Sequence, residues 1–574
     1  MNINWQNPKI ATQKNRDANL EIPVKLTSEN KVFDFKNNEF GEVLKFTAKV
    51  EQGSDYVSID IFLPGITSQY SVVTSGWHTW SGRETRGKDV GIGDFQSKIA
   101  KNETEFVVEP GKGNVPIPND EGSSYGFVVF RSIDGLKNVG IGVVPSLKEI
   151  EDIKFKVKGD GVLVTIRKNL EQVNNSREVV FTLFLASGTY TEIVWRFGEE
   201  LAKLNSIKLM KDRIIWFSWA AFGKGVRQER DIEPELPYIA EIGADTIIID
   251  DGWEKVVGQW EVDTDKFPEI IGLIENIKKM GIKPGIWIAP FMVMRETEIF
   301  NLKNEWVIKD RDGKVLNVSN PQIQPTGRLR PFVERAVGLD ISIEEVREYL
   351  YGEFIRLTKI GFEVFKVDFA SIPFVGELSN KNKTSVEYYR QFFIEVRERI
   401  KKTTGKDIEL IGCGAPMMES IGLFDGIRVS ADSAMPNIAT LRYYGRIFRI
   451  FSAIPGIGNL IKNKIVDIHT LMYRDAAAVA YRRALLFGKC HGLFVDGVHL
   501  NDPKIYIDEE EKKKLEEALP AFKWFGVLTN IFIGDSFVRA GLQGRVEWKE
   551  FINKFKKGQE AWIEEKSGNV LVDE

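Results

Sequence analysis

Residues 362–370 read FEVFKVDFA. The β-branched and aromatic run from Phe362 to Val367 has the character of a buried strand in a parallel sheet. Asp368 follows it, two positions beyond Lys366, so the strand delivers a carboxylate to its own C-terminal end. IELIGCGAP (408–416) and DGIRVSADSA (425–434) repeat the design. Each is a short apolar strand that runs out into polar groups: Cys413 in the first, Arg428 and Asp432 in the second. Upstream, DTIIIDDGW (245–253) ends its apolar run on Asp250 and Asp251. Carboxylates at successive strand ends are what a barrel enzyme needs to surround a sugar.

Outward from these strands, residues 206–522 keep a strand, loop, helix rhythm. RIIWFSW, ADTIIID, IKPGIWIA, FEVFKVD, IELIGC and GIRVSA are the candidate strands. Helical patterns lie between several of them, including IGLIENIKKM, SIEEVREYLYGEFIRLTKI and SVEYYRQFFIEVRERIKKTTG. Repeated βα units of this length predict a (β/α)8 barrel. Its last two strands have no clear pattern, and YRRALLFGKCHGLFVDG (481–497) is the candidate for one or both.

Residues 1–205 read differently. KVFDF, EVLKFTAKV, VSIDIFL, EFVVE, YGFVVFRS, VGIGVVP, GVLVTI and EVVFTLFLA are separated by Gly, Asn, Asp and Ser. That spacing predicts an antiparallel β-sandwich. The tail, 523–574, again reads as short strands (NIFIGDSFVRA, GRVEWKEF, NVLVDE) and is expected to form a small C-terminal β domain. The fold class expected is therefore multidomain: sandwich, barrel, short β domain.

At 574 residues the chain exceeds one ordinary domain. Its 43% apolar and 28% charged residues fit a globular protein, and a net charge of −4 gives no electrostatic case for nucleic acid or an anionic membrane. No stretch approaches eighteen apolar residues, so no membrane span is expected. The two cysteines, Cys413 and Cys490, rule out a disulfide framework, and free thiols are expected. MNINWQNPKIATQKN has no apolar signal core, which makes a cytoplasmic location the expectation, and a surface rich in Lys and Glu hints at a thermophile. The four histidines form no His-x-His or HExxH, and no GxGxxG or phosphate-binding loop occurs, so neither metal nor cofactor is expected.

A pair of carboxyl groups across a barrel mouth can hydrolyse a glycosidic bond, one attacking C1 and the other protonating the leaving oxygen. Asp368 and Asp432 are the candidates. Either alone would serve as readily to cap a helix or to pair with a cation.

The surrounding words resemble the family 36 α-galactosidases. The resemblance runs through IDDGW (249–253), GQW with DKFP (258–260, 265–268), KPGIWIAP (283–290), KVDF (366–369), GCGAP with GLFDGIRVSAD (412–416, 422–432) and HLNDP (499–503). It implies a retaining, exo-acting α-galactosidase working by double displacement. Asp368 would be the nucleophile and Asp432 the acid/base, their carboxyl groups about 5–5.5 Å apart. It further implies a sugar clamp. Asp250 and Asp251 would accept from O4 and O6 of galactose. Lys366 would balance their charge, bind O3 or O4, and help keep Asp368 ionised. Arg428 would hold O2, and Cys413 would lie near the C2 substituent unless it is simply a small buried hydrophobe.

Sugar C–H faces pack on indole rings, so Trp219, Trp253 and Trp287 are candidate walls. Alternation puts Trp216 nearer the barrel core. The glycine-flanked SGWHTWSG segment brings Trp80 as a further candidate reaching into the barrel mouth. After Asp432 the chain reads SAMPNIAT, where many members of the family carry an aromatic after the proline. That departure leaves the leaving-group preference open. The expected partner is an α-galactoside oligosaccharide or glycoconjugate, and assembly as a homo-oligomer stays open. Two rivals fit the same residues: another α-glycoside enzyme of the same clan (an α-N-acetylgalactosaminidase, α-glucosidase or raffinose-synthase-like transglycosylase), or a catalytically silent carbohydrate-binding protein.

Overall fold

The computed structural model describes residues 10–14, 18–21, 24–26, 42–50, 56–66, 70–74, 115–116, 122–132, 138–171, 177–188, 213–241, 244–310, 312–316, 336–416, 418–428, 464–467 and 492–496, with isolated positions besides. The segments KVFDF and EFVVE, and the expected C-terminal β domain at 523–574, lie outside the described residues.

Two antiparallel sheets form from the first part of the chain. One orders its strands Ala18–Glu21, Ile10–Lys14, Tyr56–Pro64, Gly161–Asn169, Glu151–Lys158, Gly122–Tyr125. The other runs Val24–Leu26, Glu42–Val50, Arg177–Gly188, Asn138–Val143, Phe127–Arg131, Ser71–Thr74, Val115–Pro116. Side chains alternate between faces of a strand. Val57, Ile59, Ile61 and Leu63 therefore share one face and meet Phe46, Phe130, Phe181 and Leu183 of the second sheet in a common core. The second sheet is apolar on its other face as well. Phe127, Val129, Phe184 and Ala186 there join the core that runs on around the barrel helices.

Eight parallel strands close the barrel: β1 (Arg213–Phe217), β2 (Thr246–Ile249), β3 (Lys283–Ile288), β4 (Val364–Val367), β5 (Glu409–Gly412), β6 (Gly426–Arg428), β7 (Lys464–Asp467) and β8 (Gly492–Asp496). Closure is the pairing of β1 with β8. Sequence order is sheet order throughout. GLFVDG supplied only β8. The short KIVD supplies β7, which the sequence reading did not locate. Ile215, Phe217, Ile248, Val364 and Ile411 fill the barrel's interior. Burying such a side chain contributes about 1.5–3 kcal/mol. Gly285 completes the packing by omission, since a Cβ there would lie 2.9 Å from Ile248 Cγ1.

Among the described residues, three longer helices pack outside: α1 (Ile270–Lys279), α2 (Glu344–Ile360) and α3 (Ser385–Thr404). Val346, Leu350, Phe354 and Leu357 make the buried stripe of α2 at spacings of three and four. Thr384 and Glu387 form a capping box at the start of α3, and Gly405 ends it with φ 70°. The sheet region reaches this same helix start. Ser385 N donates to Glu171 Oε2 at 2.7 Å, and Thr384 Oγ1 donates to the Lys148 carbonyl.

Candidate active site

The register of the barrel decides which side chains share its interior. Phe217 stands beside Ile248, Ile248 beside Gly285, and Gly285 beside Val364. Two residues further along, Trp287 stands beside Lys366 and Lys366 beside Ile411. Counting on in twos, Trp219 and Asp250 fall on the level of Lys366. Asp368 and Cys413 occupy the inward register positions one level higher, at the C-terminal mouth, and Arg428 is the last residue of β6. The ladder continues past the strand ends, with Asp368 N on the Ile288 carbonyl and Cys413 N on the Val367 carbonyl, both at 2.8 Å.

Lys366 and Asp250 form the charged centre of the lower level. Nζ lies 2.7 Å from Asp250 Oδ2, with 3% and 2% of the two side chains exposed. The ammonium also sits 4.8 Å from the centre of the Phe217 ring. Ser218 Oγ accepts from Asp250 N at 2.9 Å and fixes the end of β2. Burial raises the Asp250 carboxyl above its ordinary pKa, and Lys366 pulls in the opposite direction. The pairing supplies the positive charge that the adjacent aspartates require.

Asp368 receives one donor on each carboxylate oxygen. Trp287 Nε1 donates to Oδ2 at 2.9 Å, and Phe369 N donates to Oδ1 at 2.8 Å. Phe369 reaches this position with φ 51°, a left-handed conformation that costs a non-glycine residue on the order of 1–3 kcal/mol. The strain turns the chain directly after the carboxylate and aims its amide back at it. Asp368 is buried at 9% exposure, so both donors act away from bulk water. The carboxylate is fixed in orientation, as an attacking group must be.

Asp251 begins the turn above β2. Its N–H donates to Asp250 Oδ1 at 2.9 Å, which locks the two aspartates together. Gly252 follows with φ 116°, and a Cβ there would lie 2.6 Å from Lys224 Cα. Only glycine satisfies both demands. Lys224 Nζ lies 3.0 Å from Asp251 Oδ1, yet among the described residues this oxygen receives no hydrogen bond, so the contact is an ion pair without hydrogen-bond geometry. Glu254 closes the turn by accepting from Gly252 N at 3.2 Å. Its carboxyl is held well above the usual range, first by burial and then by the charge of Asp251. Among the described residues, no group of three or more His, Cys, Asp or Glu is placed to hold a metal.

The Melibiase family profile matches residues 205–331, a stretch that includes this turn and the first three barrel strands. An α-galactosidase of Escherichia coli is 32% identical over 127 residues, 21% of this chain and 16% of that protein. TtGalA, an α-galactosidase from Thermus thermophilus solved in complex with stachyose, is similar in structure at TM-score 0.54 and 20% identity, over 83% of this chain and 97% of that one. The GH36 α-galactosidase AgaA of Geobacillus stearothermophilus, also with stachyose, gives TM-score 0.55 at 13% identity, over 92% and 76%. The chain is similar to the family 36 α-galactosidases. The alignment with the E. coli relative spans well under two thirds of that protein's length, and the likeness to the two solved α-galactosidases is one of fold: a multidomain architecture that contains a TIM barrel.

Asp250, Asp251, Lys366, Asp368, Trp287 and Cys413 gather at the C-terminal end of this barrel. Three expectations need correction. Trp253 is fully buried, stacked on Trp260, with its N–H on the Trp287 carbonyl at 2.9 Å. It props the wall from behind and offers no face to a ligand. Trp287 is 1% exposed, so its contribution to the site is the N–H on Asp368 rather than an open ring. Trp216 belongs to the outer core with Phe222, not the barrel interior, because Ile215 and Phe217 take the inward positions. Lys366 supplies its charge to Asp250, while the donors on the Asp368 carboxylate are Trp287 and Phe369. Trp219 packs half-buried on the interior cluster. Cys413 is a fully buried free thiol. Asp432 and Trp80 lie outside the described residues, as does the side chain of Arg428. The sequence reading missed Glu254, whose one signal is a third carboxylate within five residues of DDGWE.

Proposed function

We propose that the protein is a retaining, exo-acting α-galactosidase. Asp368 attacks the anomeric carbon while Asp432, protonated, releases the leaving group. Asp432 then deprotonates the water that opens the galactosyl-enzyme. Asp250, Asp251 and Lys366 read the axial O4 and the neighbouring hydroxyls. Arg428 and Cys413 serve the C2 side, and Trp219 and Trp80 flank the sugar. The substrate is an α-galactoside oligosaccharide or glycoconjugate, and hydrolysis needs no cofactor. The division of the chain that goes with this reading is a β-sandwich at 1–205, a (β/α)8 barrel at 206–522 and a short β domain at 523–574.

The observation that carries the reading is the buried Lys366–Asp250 pair one level below Asp368, on the inward face at the barrel mouth. An ion pair inside a barrel costs desolvation that an apolar pair would avoid. A polar ligand that uses both charges accounts for it. The test is turnover of aryl α-galactosides, α-glucosides and α-N-acetylgalactosaminides by the wild type and by Asp368→Ala. Galactoside hydrolysis with retained configuration, abolished in the variant, supports the reading. Full activity in Asp368→Ala removes it.

A further inference from the structure

Asp250 has Lys366, but the other two carboxyl groups of the turn share a poorer supply of partners. Asp251 and Glu254 are 5% and 4% exposed. Asp251 Oδ1 is buried without a hydrogen-bond donor among the described residues. The cation beside it, Lys224, is itself 41% exposed and approaches without hydrogen-bond geometry. Glu254 is held next to Asp251 across Gly252, whose N–H its Oε2 accepts at 3.2 Å, and the Asp251 charge helps to hold its carboxyl up. Its backbone is tied by an isolated antiparallel bridge to Val262.

The other charged groups around this turn are committed elsewhere. Lys266 Nζ binds the Gly252 carbonyl at 3.0 Å and Asp263 at 3.3 Å. Asp250 and Lys366 pair with each other from β2 and β4. Two ionised carboxylates on either side of Gly252 and out of water repel strongly, whereas one proton shared between them removes a charge and offers Asp251 a hydrogen-bond donor.

We propose that Glu254 is a positioning residue whose carboxyl holds one proton against Asp251 and so orients the Asp251 carboxylate toward the hydroxyl of the bound sugar. The inference rests on the α-galactoside reading above. Loss of that proton would turn the two carboxylates against each other and weaken sugar binding while leaving the attack by Asp368 intact. Above the pH of that loss, KM should rise faster than kcat falls.

The experiment compares wild type, Glu254→Gln and Glu254→Ala from pH 5 to 9 on an aryl α-galactoside, with infrared spectra of the same proteins. Glutamine can donate to Asp251 at every pH and still accept from Gly252, so the alkaline rise in KM should disappear in Glu254→Gln. Alanine removes the donor altogether and should raise KM by about tenfold or more throughout, with a smaller change in kcat. The neutral-carboxyl carbonyl band expected at pH 7 in the wild type should lose a component in Glu254→Gln. The same pH dependence of KM in wild type and Glu254→Gln overturns the proposal, as does an unchanged infrared band. Should Glu254→Ala not fold, those two comparisons decide. Should the wild type cleave no α-galactoside, the functional reading fails by itself, and the infrared comparison still settles whether Glu254 carries the proton.

Discussion

Replacing Lys366 with methionine separates charge from packing beneath the barrel mouth. Methionine keeps most of the aliphatic stem that lies toward Phe217, so the loss is chiefly the ammonium. That ammonium sits 2.7 Å from Asp250 Oδ2 with both groups almost wholly buried. Removing one partner of such a pair costs about 3–5 kcal/mol, because the other charge is left without compensation. The cost should vary with pH. Burial already raises the Asp250 carboxyl, and Lys366 is the largest opposing influence. Without it the folded state holds the Asp250 proton more tightly than the unfolded chain does. A carboxyl whose folded pKa exceeds its unfolded value loses stability as pH rises between the two values, by about 1.4 kcal/mol per unit. The destabilisation of Lys366→Met should therefore be small near pH 4–5 and grow toward about 3–5 kcal/mol near neutrality. Urea unfolding at several pH values would measure it, with Asp250→Asn and the double variant completing a cycle. The double variant should recover most of the neutral-pH loss, since an amide needs no counter-charge. A loss independent of pH, or a double variant no more stable than Lys366→Met, would refute the assigned pairing.

Trp287→Phe removes the N–H on Asp368 Oδ2. A hydrogen bond to a charged group is worth about 1.5–3 kcal/mol, so a kcat loss of roughly 10- to 150-fold is expected on an aryl α-galactoside, with little change in KM. The wild type should prefer galactoside to glucoside by about 10³-fold or more in kcat/KM, because the equatorial hydroxyl leaves buried carboxylates unpaired. Asp251→Asn should erode that ratio far more than it lowers the thermal midpoint. Glu171→Ala strips the carboxylate from the first turn of α3 and should cost about 1–2 kcal/mol by urea unfolding, with the alanine-to-glutamine comparison showing how much of that is charge.

The residues of the barrel mouth were legible because strand alternation is local. Once Phe362–Val367 is a strand, Lys366 and Asp368 must share a face, and the same count places Asp250 and Trp287. Alternation failed at Trp216, where the phase of β1 is set by Phe217 and Ile215 packing on strands far away in sequence. β7 was missed because KIVD offers too few apolar residues to show a period. The roles of the tryptophans were beyond the sequence for another reason. Whether an indole lines a site or lies behind it depends on which ring covers it, and only the packing of Trp253, Trp260 and Trp287 against each other reveals that. Glu254 gave little signal, since its significance comes from the reach of its carboxyl back to the Gly252 amide beside Asp251 in a glycine-dependent turn.

The second antiparallel sheet is covered on both faces. Phe130, Phe181 and Leu183 face the first sheet, while Phe127, Val129 and Phe184 belong to the core around the barrel helices. A cut between sheets and barrel would strip one of those faces, and it would leave α3 without the Glu171 carboxylate at its start. Melting should accordingly be cooperative across the described sheets and barrel, with calorimetry finding one transition for both, and a barrel expressed alone should aggregate through the apolar surface that the sheet normally covers.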